Sequence, residues 1–412
     1  MTCVGFARAT VQSLVPGDVL MDTGIRAYAS VVRSRSGFRR RTPGMWIHPA
    51  AGTVNKTSPS AITPVNGLRA RIDQQIRRLY PGYFALVMAT GIVSNAAFFL
   101  QYRELSHFLL AVNLGAFPLL LFALTVRVAR FRREFWADLS NPKLVFSFFT
   151  IVAACDVLGL QLTLRGLVEP AIVLWLFALA TWIVLSYVSF SVLTFANTGS
   201  GADVVHGGWL IAIVGTESLV LLGAPLAPHF GALTPLTFVT IHALWGIGIV
   251  LYGIFITLFS YRLFFLRVEA QDVTPLFWVV MGAAAIAANA GSTLILTDPR
   301  MPFLLDLRPF VDGATLILWA WATWWIPLLL IFGVWKYLVR REPLAYHPMF
   351  WSMVFPLGMY TVATYRLSLA ADFTPLQWVP RVMIWVALGA WLLTMMGALA
   401  TFWRVLRTPV QP

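Results

Sequence analysis

The stretch that decides the reading is His347 to Ala370, HPMFWSMVFPLGMYTVATYRLSLA. It is apolar enough to enter a bilayer, yet it carries Pro356 and Gly358 in its middle and Arg366 near its end. A proline inside a helix cannot donate to the carbonyl four residues back, so a kink is expected at position 356. In hydrocarbon a freed carbonyl is tolerated only where protein or a water-filled cavity satisfies it. Two readings follow. Either the helix lines a pore, with the ring of Phe355 beside the kink, or it is a kinked core helix whose phenylalanine merely packs.

Outward from this stretch, the chain of 412 residues is 59% hydrophobic and only 11% charged, against about 25% charged in ordinary soluble domains. It reads as a polytopic membrane protein. Cys3 and Cys155 lie far apart, one in the tail and one in an apolar run, so neither a disulfide framework nor a metal site follows. The formal net charge of +13 falls largely in short loops and the N-terminal region, where it orients helices and gives no reason to expect nucleic acid. Residues 1–68 differ in kind. They hold eight basic residues, among them Arg39, Arg40 and Arg41, and a Ser/Thr/Pro/Gly-rich run from Thr53 to Gly67. No apolar core follows a basic start, so a cleavable signal peptide is not expected. The segment reads as a disordered cytoplasmic extension; a true start at Met45 or a small regulatory tail are the alternatives.

Ten apolar segments follow, near 80–101, 105–126, 144–165, 169–195, 208–227, 235–261, 275–297, 310–338, 346–370 and 379–403. Each is close to the roughly 20 residues that span a bilayer. A membrane domain of ten helices over 69–405 with a short cytoplasmic tail, 406–412, is therefore expected. Sixteen flanking Lys and Arg residues fall on the side of the termini, against six on the other: Arg103, Arg165, Arg300, Arg308, Arg366 and Arg381. Both termini are thus expected in the cytoplasm, with the chain in the inner membrane.

The spans alternate in character. Odd spans are small and polar at their centres: Thr90-Gly91 with Ser94-Asn95, Cys155-Asp156, Thr216-Glu217-Ser218, Ala283 through Ser292, and Tyr360-Thr361 with Thr364. Even spans are bulky, as in LWLFALATWIVL from Leu174 and LILWAWATWWIPLLL from Leu316. Small residues let helices approach closely and polar ones need partners, whereas Trp and Leu are content against acyl chains. The expected architecture is all-α: five hairpins, odd helices as an inner ring around a central pore and even helices outside.

The run PGYFALVMATGIVS, Pro81 to Ser94, resembles the opening helix of the tellurite-resistance/C4-dicarboxylate transporter family, which includes malate permeases, sulfite pumps and the slow anion channels of guard cells. NPKLVFSFFTIVAACDVLG from Asn141, GGWLIAIVGTESLVLLG from Gly207 and WSMVFPLGMYTVAT from Trp351 resemble it too. The resemblance covers about residues 78 to 405. It implies a trimeric anion channel or permease of five hairpins, moving small inorganic anions or dicarboxylates. A phenylalanine on the ninth helix plugs the pore in that family and matches Phe355, with Phe350 as a fallback. A second, on the third helix, matches Phe148 or Phe149.

An anion leaving water needs positive potential or oriented donors, and hydroxyls and amides supply donors without binding too tightly. Thr90, Ser94, Thr216, Ser218, Asn289, Ser292, Thr293, Thr361 and Thr364 are the candidate lining residues, each with helix packing as its alternative role. Asp156, Glu217 and Arg366 are charges within spans, and each is expected to face protein or water. The acids either pair with Arg366, or stay protonated as donors, or carry protons in coupled transport. Arg366 and Arg165 would instead attract anions at the outer mouth. The six histidines (His48, His107, His206, His229, His242 and His347) show no metal-ligand spacing, and no P-loop is present. No cofactor is expected. Outside transport, an intramembrane enzyme or a membrane sensor remain as rival readings.

Overall fold

A computed structural model describes residues 64–196, 205–299 and 301–407. The chain divides into two units, Met1–Ala61 and Ile62–Pro412, and every described residue belongs to the second. The basic extension expected over 1–68 lies outside the described residues up to 63, and from Pro64 onward it forms part of a helix, α1 (Pro64–Arg77). Beyond Arg407 the expected tail is also outside them.

The described residues are all-helical. After α1 come α2 (Ala85–Phe99), α3 (Arg103–Arg130), α4 (Arg132–Leu139), α5 (Thr150–Thr163), α6 (Val168–Phe195), α7 (Ile211–Leu226) and α8 (Thr234–Phe265). They are followed by α9 (Val279–Ile295), α10 (Pro302–Asp306), α11 (Arg308–Val334), α12 (Trp351–Ala370) and α13 (Trp378–Arg407). Among the described residues eight stretches are long and apolar enough to cross a membrane. One of them, Gly207–Phe265, contains both α7 and α8, joined through a turn in which Gly231 has φ 55°. α12, with its Pro, Gly and Arg, falls outside the eight.

The alternation seen along the sequence has a packing counterpart. The windows within Val145–Thr163 and Pro275–Ile295 are 94% buried and that within Pro81–Phe99 is 78% buried, whereas those of α3, α6, α11 and α13 are 22% buried. α2 packs on α5, α5 on α7, α7 on α9, α9 on α12 and α12 back on α2. Each of these five also carries a long neighbour in sequence: α3, α6, α8, α11 and α13 respectively. Small residues permit the approach. A Cβ on Gly358 would stand 2.8 Å from Ile92 of α2, and one on Gly282 of α9 would stand 2.6 Å from the ring of Pro356.

Each of the five buried helices starts the same way, with a 3-10 turn: Pro81–Phe84, Val145–Phe149, Gly207–Leu210, Pro275–Trp278 and Pro348–Phe350. Tyr80, His206, Thr274 and His347 stand before four of them in extended conformation. Three of these precede a proline, which disfavours helical backbone in the residue before it and suits the first helical position itself. The turns also touch one another in cyclic order, forming a collar at one end of the bundle. His206 is one tie in it. Its Nδ1 accepts from the Gly208 N–H at 3.0 Å, so the ring is neutral there and its Nε2–H donates to the Lys143 carbonyl at 2.7 Å. Trp209 Nε1 donates to the Pro142 carbonyl at 3.1 Å, and Lys336 Nζ to that of Val273 at 2.7 Å.

Candidate functional site

A cavity of about 770 Å³ opens among the C-terminal halves of the five buried helices. Phe99 from α2, Leu160 from α5, Leu221 from α7, Asn289 from α9 and Arg366 from α12 all contribute to its wall. Its lining is mixed. Asn289, Thr293, Thr297 and Asp298 sit among prolines and leucines. Helix C-termini present partial negative charge, and Arg366 offsets it from the wall.

Arg366 is held on two sides. Its Nη2 donates to Thr293 Oγ1 at 3.2 Å, and its Cζ lies 5.6 Å from the centre of the Phe99 ring, within reach of a cation–π contact. Phe99 in turn stacks on Tyr365. The Nε of Arg366 is buried without a hydrogen-bond partner. Asn289 spends one amide N–H on the Met359 sulfur at 3.5 Å, and its Oδ1 has no partner.

The other expected lining residues are buried, and most of their hydroxyls are engaged with neighbouring helices. Thr90, Thr216 and Thr364 accept from the indoles of Trp391, Trp182 and Trp319 at 2.9, 2.8 and 3.0 Å. Ser94 donates to the Ser106 carbonyl of α3 at 2.8 Å. Thr361 donates back to the Leu357 carbonyl at 2.9 Å, and Ser292 Oγ is buried with no partner. Of the residues named from the sequence, the cavity brings together Asn289, Thr293 and Arg366. The tryptophan partners escaped the sequence reading, although a Trp on each of α6, α11 and α13 was the available signal.

The acids do not pair with Arg366. Asp156 Oδ2 accepts from Ser218 Oγ at 2.7 Å, while its Oδ1 is unpartnered. Glu217 points toward α8, where its carboxyl fills the space a Cβ on Gly248 would need, and neither oxygen has a partner. The ion-pair expectation is therefore corrected: Asp156 is engaged by Ser218, Glu217 lies against Gly248, and Arg366 is held by a hydroxyl and a ring with its Nε left over. Among the described residues no group of three or more His, Cys, Asp or Glu side chains gathers as metal ligands would.

Phe355 is fully buried one turn into α12, directly before Pro356. α12 runs unbroken through the proline, which leaves the Ser352 carbonyl without a helical donor. Phe148 packs edge-on against Phe135, and Phe149 stacks against Phe146 while covering Gly215 of α7. Phe350, by contrast, lies at the collar and is only partly buried.

Fold and cavity together define a multi-pass, all-helical membrane protein with a recess of mixed polarity inside a ring of packed helices. Residues 78–399 match the family described as SLAC1, voltage-dependent anion channel. The chain belongs to that family, to which the tellurite-resistance and dicarboxylate transporters also belong, and it is a membrane anion channel or transporter. It is 25% identical to an uncharacterized transporter of Methanocaldococcus jannaschii over 332 residues, 79% of this chain and 95% of the relative. An uncharacterized membrane protein of Mycobacterium tuberculosis is 40% identical over 139 residues, 34% of this chain and 70% of the relative. A sulfite efflux pump of Trichophyton rubrum is 22% identical over 320 residues, 71% of this chain and 82% of the pump.

Proposed function

We propose that the chain passes small inorganic anions or dicarboxylates along the axis enclosed by α2, α5, α7, α9 and α12, with Phe355 as the gate. In this reading the ten long helices are five membrane-spanning hairpins, and three copies assemble in the inner membrane with both termini cytoplasmic. The collar then lies on the cytoplasmic side and the cavity opens outward. One observation carries the reading: the cavity draws its wall from all five helices, and it ends short of Phe355, which is completely buried. Val362, the cavity residue before Arg366 on α12, lies seven positions beyond Phe355, which is about 10 Å along a helix. A ring at that depth blocks hydrated ions by bulk and by dewetting. The test is anion uptake into liposomes by wild type and Phe355→Ala, over chloride, nitrate, sulfite and malate. A gate gives faster flux in the variant. Unchanged or slower flux, with the variant folded, removes Phe355 from that role.

A second reading, a proton-coupled carrier of dicarboxylates or sulfite, is favoured by one observation: Asp156 and Glu217 bury unpartnered carboxyl oxygens in the core. A buried acid that exchanges a proton makes flux depend on pH. Glu217→Gln should abolish that dependence, and a pH profile identical to wild type would exclude coupling through Glu217.

A further inference from the structure

We propose that Arg366 forms a binding site for a trigonal or planar oxyanion, such as a carboxylate or a sulfite, inside the cavity, positioned by Thr293 and assisted by Asn289. The proposal rests on the anion-pathway reading and adds the class of ion that the pathway recognises. Among the described lining residues Arg366 is the sole cation. A charge at membrane depth costs at least about 2.5–3.5 kcal/mol on insertion scales, so it calls for a partner. Among the described residues no carboxylate is paired with Arg366: Asp156 is bonded to Ser218, and Glu217 faces α8.

What the protein does supply fixes the guanidinium without saturating it. One face rests over Phe99 and one Nη2–H is taken by Thr293, whose own proton goes to the Asn289 carbonyl at 2.8 Å. Thr293 is thereby an acceptor locked in place, and acts on the anion only by positioning Arg366. The Nε–H is left over. A guanidinium edge offers two parallel N–H donors that match the oxygens of a carboxylate or similar oxyanion, whereas a spherical halide takes only the charge. The amide of Asn289 keeps a second N–H for a further anion oxygen. At about 770 Å³ the cavity is far larger than a bare halide needs and lies in the range of small-molecule sites. Asp298 lines the same cavity, so the wall is not uniformly positive and the anion is drawn to the Arg366 side.

The experiment measures flux of sulfite, malate and chloride in liposomes for wild type, Arg366→Lys, Arg366→Gln and Thr293→Val. Arg366→Lys keeps the charge and loses the fork. It should lower the sulfite-to-chloride and malate-to-chloride flux ratios about tenfold, the change set by one bidentate contact. Arg366→Gln should depress all three anions. Thr293→Val leaves the charge intact and releases the guanidinium, so it should lower the sulfite-to-chloride ratio by severalfold; it decides the matter if neither Arg366 variant folds. A sulfite-to-chloride ratio equal to wild type in Arg366→Lys, or in Thr293→Val, overturns the assignment. If wild type carries no anion at all, the pathway reading fails instead, and the two failures are told apart by that control.

Discussion

Replacing Gly282 by alanine tests the interlock of α9 with Pro356, the neighbour of the proposed gate Phe355. The added Cβ would stand 2.6, 3.0 and 3.3 Å from Cγ, Cβ and Cα of Pro356. Comfortable carbon–carbon contact lies near 3.5–4.0 Å, so α9 and α12 must separate locally by about 1 Å. A proline ring cannot swing aside as a lysine tip would, and its Cα belongs to the backbone. Overpacking of this kind costs about 1–3 kcal/mol, and alanine returns about 1 kcal/mol of helix propensity. The net expectation is a loss of up to about 2 kcal/mol, read as a fall of a few °C in the unfolding midpoint in detergent. Because Pro356 adjoins Phe355, the same displacement should change anion flux. Gly313→Ala on α11 is the control, since nothing lies within 4 Å of its Cβ position. If Gly282→Ala is as stable as Gly313→Ala and conducts like wild type, the interlock reasoning is wrong.

Other outcomes follow from single contacts. His206 is held neutral, since burial pushes its pKa down from the usual 6.5 to about 4, against the opposing pull of its bond to the Lys143 carbonyl. Between those values the unfolded chain binds the extra proton, so stability rises with pH across that window. It is fully present above about 6.5 and lost as pH falls toward 4, by at most about 3 kcal/mol. Thermal unfolding against pH should show this slope in wild type and not in His206→Asn; equal slopes would exclude the histidine as its source. Thr90→Val leaves the Trp391 indole unpaired between α2 and α13. Interhelical bonds in membranes average about 0.6 kcal/mol and reach about 1.7, so the loss of stability should stay below that ceiling. A larger drop would mean that the hydroxyl does more than dock the tryptophan.

The layered arrangement was legible in the sequence because it rests on composition, which each span carries locally. Small and polar centres in α2, α5, α7, α9 and α12 became buried helices, and the Trp- and Leu-rich spans became the exposed ones, with Trp324 and Trp385 more than half exposed. The hydroxyls were harder to read. A threonine in a span shows that a partner is needed, not which side it faces. Thr90 meets Trp391 301 positions away, and only the packed bundle reveals that. The acids illustrate the same limit. Asp156, Glu217 and Arg366 invite pairing by charge, yet helix rotation sends Glu217 to Gly248 and Arg366 to Thr293. The collar left a trace in Tyr80-Pro81, Thr274-Pro275 and His347-Pro348, whose common meaning emerges only once the turns touch.

The central claim is that anions travel inside the five-helix ring, and thiol labelling tests it most directly. In a Cys3→Ser background, Leu160→Cys places a thiol in the cavity wall on α5, and Leu114→Cys places one on the exposed face of α3; the other native cysteine, Cys155, is buried. Treatment of each variant in liposomes with a bulky, negatively charged thiol reagent should block anion flux through Leu160→Cys and leave Leu114→Cys conducting. Full labelling of Leu160→Cys with undiminished flux would contradict the account.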